Sequence, residues 1–124
     1  MKLFLDDNRN PYDVFKKTID PLYEENKSWQ VVRDYYQFIN FIQRYGIPNV
    51  VSLDHDLSQE HYLNENQTDI NYEAMKIPTG YHAAKWLIEY CKKNNKKLPE
   101  FKVHSENLEG KMNIERLFFE NKGF

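Results

Sequence analysis

Two short apolar runs in this chain each stop abruptly at acid, and that pattern constrains the fold more than any other feature. Lys2-Leu3-Phe4-Leu5 gives way to Asp6-Asp7-Asn8-Arg9, and Asn49-Val50-Val51-Ser52-Leu53 gives way to Asp54-His55-Asp56. Brief apolar runs bounded by polar turn residues read as buried strands. Ser28-Trp29-Gln30-Val31-Val32 is a third such run, with Trp29 and Val31 on one face by the period of two. Glu100-Phe101-Lys102-Val103 is a fourth, entered through Pro99 and ending at His104-Ser105-Glu106-Asn107.

Helical patterns lie between the runs. Asn10-Pro11 reads as an N-cap followed by proline at the first helical position, with Asp13 in the first turn and Phe15 and Ile19 seating a short helix. Asp34 can cap a helix over 35–45, where Tyr35, Phe38, Ile39 and Ile42 form an apolar stripe that Gly46 and Pro48 terminate. Thr79-Gly80 opens another helix, carried by Tyr81, Ala84, Leu87, Ile88 and Cys91 to about Lys93. A last helix is expected from Met112 to Glu120, burying Ile114, Leu117 and Phe118. The stretch from Leu57 to Pro78 is polar and shows little periodicity, as a lid or binding loop would. His61 within it is expected to face solvent, and His82 to lie on a helix surface.

Strands alternating with helices, through connections long enough for crossovers, predict an α/β fold with a mostly parallel sheet of about four to five strands. Right-handed crossovers put the C-terminal end of every strand on one edge, which is where open α/β sheets bind ligands. At 124 residues the chain is expected to form a single domain over 1–124. The lone cysteine, Cys91, excludes an internal disulfide framework. No apolar run approaches the roughly 20 residues of a membrane span. A net charge of −2 does not suit a protein that wraps duplex nucleic acid. The expectation is a soluble, cytoplasmic domain with no membrane partner.

The shared edge would gather Asp6, Asp7, Asp54 and Asp56 with His55, His104 and Arg9. Singly, such residues are ordinary caps, turn formers and hydrogen-bonded histidines; together they point to chemistry. Clustered carboxylates repel unless a cation or proton offsets their charge. Hard divalent ions such as magnesium or manganese take oxygen ligands of this kind, so all four aspartates are candidate metal ligands. Two imidazoles near neutrality can act as base and acid about a phosphorus centre, which makes His55 and His104, with Asp54, candidate catalytic residues. Arg9, Ser105 and Asn107 are candidates to bind phosphate oxygens, and Thr79-Gly80 would let backbone approach a ligand.

An acidic pair after the first strand, an aspartate after the third and a hydroxyl residue after the fourth resemble a receiver domain of two-component signalling. The nearer resemblance is to cyclic-phosphate-processing receiver-like domains. It is carried by LFLDDNRNP at 3–11, SWQVVR at 28–33, VVSLDHDL at 50–57, TGYHAAKWL at 79–87 and VHSEN at 103–107. The resemblance implies a three-layer, flavodoxin-like fold that binds or processes cyclic phosphates on small nucleotides or RNA ends. Signalling receivers carry a lysine at the end of a fifth strand, and no such lysine follows His104-Ser105. The leading expectation is therefore a phosphoesterase. The alternatives are a module that senses or sequesters a cyclic nucleotide, and a receiver phosphorylated on Asp54.

Overall fold

A computed structural model describes residues 1–58, 61 and 70–123. Four strands, β1 (Lys2–Leu5), β2 (Gln30–Val32), β3 (Val50–Leu53) and β4 (Glu100–Val103), form one sheet in the order β2-β1-β3-β4. Every pairing is parallel, and Leu5 stands level with Val32 and Leu53, which in turn stands level with Val103. Four helices accompany them among the described residues: α1 (Pro11–Thr18), α2 (Tyr35–Tyr45), α3 (Gly80–Lys93) and α4 (Leu108–Glu120).

The alternation of side chains along each strand divides the core between two faces. Leu3, Leu5, Val51, Leu53 and Val103 point into the larger cluster, with Phe38, Ile42, Leu87, Ile88, Ile114 and Phe118 from α2, α3 and α4. Phe4 points the other way, onto Val14 of α1 and onto Tyr23 and Trp29 from the connection to β2. The result is the three-layer α/β arrangement expected of a receiver-like, flavodoxin-like fold.

Caps set most helix boundaries. Asn10 and Asp13 form a capping box at α1, the Asp34 carboxylate accepts from the Gln37 amide at α2, and Thr79 caps α3. Three details depart from the expectations. Ile19 is 67% exposed and takes a left-handed conformation at the end of α1, so Val14 supplies the buried contact there. Ser28 belongs to a 3-10 turn, and β2 begins only at Gln30. The last helix starts at Leu108, four residues before Met112, because the Asn107 side chain caps it by accepting from the Gly110 amide at 2.9 Å.

The expected loop at 57–78 contains a 3-10 turn at Tyr72–Ala74, while 59–60 and 62–69 lie outside the described residues. No helix among the described residues is long and apolar enough to cross a membrane.

Candidate functional site

Hydrogen bonding continues one residue past the strands and lines up three side chains. The Asp6 amide donates to the Val32 carbonyl, Asp54 to Leu5 and His104 to Leu53, at 3.1, 2.9 and 3.0 Å. Each of these residues follows one that points into the larger core, so by alternation all three turn toward the α1 side. Parallel register thus brings two acids and an imidazole from distant parts of the sequence into one row.

Ligand oxygens of Asp6, Asp7 and Asp54 lie within 4.8 Å of one another, and Asp7 is the half-buried member of the three. Asp6 is deeply held. Its Oδ1 accepts from the amides of Asn8 and Arg9 at 3.0 and 2.8 Å. Its Oδ2 accepts from Arg9 Nε at 2.9 Å and from His104 Nε2 at 3.0 Å. Burial alone would raise its pKa, yet the hydrogen bond from His104 and the amide bonds outweigh that and hold it down at about 2.

Asp54 has the opposite fate. Burial, followed by repulsion from Asp6, pushes its pKa up to about 8, despite Arg9 Nη2 at 3.8 Å. A buried carboxyl beside two others, poorly compensated by protein cations, is the electrostatic situation that a divalent cation relieves. The donor set, all oxygen and partly open at Asp7, fits magnesium or manganese.

Asp56 does not join the three. It is buried, and its Oδ1 lies 2.7 Å from His55 Nδ1 and 3.2 Å from Asn107 Nδ2.

Both expected catalytic histidines are enclosed. The His104 side chain is 1% exposed and its ring stacks on Phe4 at 4.3 Å. Burial lowers its pKa, which favours the neutral ring. With Asp6 ionised, Nε2 donates to it, and Nδ1 accepts from Ser52 Oγ at 2.7 Å, which in turn accepts from the Tyr23 hydroxyl at 2.6 Å. Burial raises the Tyr23 pKa to about 12, consistent with its donor role.

His55 is likewise 1% exposed: Nδ1 serves Asp56, while Nε2 accepts from the Tyr72 hydroxyl at 2.8 Å. That hydroxyl also accepts from Asn113 Nδ2 at 3.0 Å. A Cβ on Gly110 would stand 2.3 Å from the His55 ring, so only glycine lets α4 close over it.

The remaining candidates divide between the edge and its supports. Arg9 lies on the edge, bonded to Asp6 and donating from Nη2 to the His104 carbonyl at 3.1 Å. Ser105 is half-buried, and its Oγ accepts from the Asn107 amide at 3.1 Å. Asn107 is buried as cap and tether. Thr79 is buried as the cap of α3, and the Gly80 amide donates to the His55 carbonyl at 2.9 Å. A Cβ on Gly80 would lie 1.8 Å from the Asp54 carbonyl oxygen, so this glycine serves the approach of α3 to the end of β3.

This ordered edge belongs with a match along the sequence. The family model of the cyclic-phosphate processing receiver domain matches residues 1–120. The chain belongs to that family. No curated protein and no solved structure matches it.

Within this receiver domain, several supporting residues carry no signal by themselves in the sequence. Arg33, just after β2, donates from Nη1 to the carbonyls of Asp6 and Arg9 at 3.2 and 2.7 Å and so clamps the acidic loop. Ser52 and Tyr23 support His104, and Tyr72 and Asn113 support His55. His61, expected in solvent, is 1% exposed: it accepts from the Leu57 amide at 2.7 Å and pairs with the Ile77 carbonyl at 2.6 Å. Those two backbone contacts pull the ring inward. His82 is half-buried, and its Nδ1 accepts from the Thr79 amide at 2.8 Å.

Proposed function

We propose that this receiver domain is a metal-dependent phosphoesterase that opens a cyclic phosphodiester on a small nucleotide-like molecule or an RNA end. The observation that carries the reading is the convergence of Asp6, Asp7 and Asp54 beside Arg9 at the carboxyl edge of the sheet. In this reading Asp6, Asp7 and Asp54 hold a divalent cation. A cation held there would polarise a phosphoryl oxygen and acidify a water for attack on phosphorus.

The chain's own groups do the rest. Arg9 and Ser105 face the phosphate oxygens, and Arg33 keeps the Asp6–Arg9 loop in place. His104 acts on Asp6, keeping its carboxylate ionised and oriented; His55 orients Asp56 through Nδ1. Asn107, Thr79 and Gly80 fix the helix N-termini that frame the edge, and the segment at 57–78 supplies substrate specificity.

The test is a panel of cyclic phosphates incubated with the protein in magnesium, in manganese and in EDTA, read by mass spectrometry. A linear phosphomonoester product that needs the metal and disappears in D7N supports the reading. An intact ligand in every condition overturns it. Direct acid–base work by the histidines is separable from positioning. Loss of a proton-transferring group removes one limb of the pH–rate profile, whereas loss of a positioning group lowers the whole profile.

A second reading is favoured by one specific observation. Both ring nitrogens of His55 and of His104 are occupied by protein partners, an arrangement that suits holding a cyclic nucleotide without turning it over. Calorimetric binding with the ligand recovered unchanged would establish that alternative.

A further inference from the structure

The sheet of the described residues has two open edges, β2 and β4, and the β4 edge is the one whose charges are self-complementary. Among the described residues, β4 ends the sheet and has a partner only in β3. Glu100 and His104 turn their amides inward, donating to the carbonyls of Asn49 and Leu53, both at 3.0 Å. In a parallel ladder the alternate residues then aim their polar groups the other way, so Phe101 and Val103 present N–H and C=O outward.

The side chains of that edge are self-complementary. Glu100 and Lys102 are both exposed and, two residues apart, share one face, while Phe101 turns to the other and stacks on Phe118 at 4.4 Å. The neighbouring side of α4 carries three exposed apolar side chains, with Glu115 set among them. Leu108, Met112 and Phe119 are 74%, 52% and 62% exposed, fall on one side of the helix, and Phe119 meets Phe101 edge-on at 5.5 Å. A cavity of about 270 Å³ lined by Leu98, Pro99, Phe101 and Phe118 opens beside the same strand.

We infer that two copies of this chain associate through β4, antiparallel about a two-fold axis at Phe101, to make one continuous sheet of eight strands. About that axis Phe101 faces its own copy and exchanges two main-chain hydrogen bonds with it. Glu100 then stands opposite Lys102 on both sides, in the closely spaced non-hydrogen-bonded positions where cross-strand charges interact best. Shifting the axis to Lys102 would set two lysines against each other, so charge selects the register. The axis runs perpendicular to the sheet, which brings the two α4 helices together on one face and covers Leu108, Met112 and Phe119. A two-fold contact of this kind is closed and does not propagate into fibres.

Charge reversal with sedimentation equilibrium tests the pairing. The wild-type chain is expected to be dimeric. E100K sets lysines against Lys102 and K102E sets glutamates against Glu100, so each single variant should associate about tenfold more weakly or worse. An equimolar mixture of the two single variants should recover the dimer, as should the double variant E100K/K102E. Both positions are exposed in the monomer, and circular dichroism confirms that the variants fold. A monomeric wild type overturns the proposal, and in that case Lys102 guards the edge against pairing. Equal dimerisation of every variant also overturns it, because association then runs through another surface.

Discussion

His104 Nε2 lies 3.0 Å from Asp6 Oδ2, with both side chains 1% exposed, and this contact joins the end of β4 to the end of β1 across β3. The imidazole is a structural extension of the acidic edge. It carries the charge state of Asp6 back through Ser52 to Tyr23 in the core.

Replacing His104 by Phe keeps the stack on Phe4 and leaves Asp6 Oδ2 and Ser52 Oγ short of a partner. We expect a loss of about 2–3 kcal/mol in stability, from the buried polar groups left unpaired. The Asp6 pKa should also rise, since its largest lowering influence is gone. Urea unfolding and carboxylate NMR titration measure the two effects.

The pH dependence of stability carries opposite signs at the two buried aspartates. The folded-state pKa of Asp54 stands at about 8 against an ordinary 3.8, so between those values the native state holds a proton that the unfolded chain gives up. Its contribution to stability therefore falls as pH rises from about 4 to about 8. Asp6, held near 2, contributes stability above 3.8 that is lost as pH falls toward 2. Unfolding midpoints in EDTA should decline with pH over the upper range in the wild type and flatten in D54N. Magnesium should restore the wild type most at the alkaline end.

Gly110→Ala introduces a methyl 2.3 Å from the His55 ring. The helix or the ring has to move, and overpacking of this kind costs about 1–3 kcal/mol. Thermal unfolding, with His55 imidazole resonances as the local reporter, checks the outcome. A substitution at Gly80 meets backbone at 1.8 Å and should be the more damaging of the two.

Tyr72→Phe removes the hydroxyl shared by His55 Nε2 and Asn113 Nδ2. The expected loss is about 1–2 kcal/mol, with a change in the His55 ring nitrogen shifts that reports the lost acceptor contact. A variant as stable as wild type, with unchanged shifts, would show that the bond contributes nothing.

Much of this architecture was legible in the sequence because its signals are local. Short apolar runs that stop at polar residues placed the strands, with β1 and β4 matching residue for residue. Asp34 and Thr79 announced helix starts because a capping side chain acts on amides two or three residues away, and Asn10-Pro11 did so through the proline at the first helical position. The one helix start that was missed, at Leu108, shows the limit. Gly110 lies in its first turn against the His55 ring with no room for a Cβ, a contact that no local pattern announces.

The candidate site follows the same division. Sequence alone determined that Asp6, Asp54 and His104 sit at strand ends, and that parallel crossovers put those ends on one edge. Tertiary structure alone decided that Asp7 joins Asp6 and Asp54 while Asp56 turns to His55 and Asn107. It also decided that His61 is enclosed and that both edge histidines spend their ring nitrogens on the protein. The physical reason is range. A cap or an alternation is settled within a few residues, whereas a buried polar group takes whichever partner the packing brings near it, and for His104 that partner is 98 residues away.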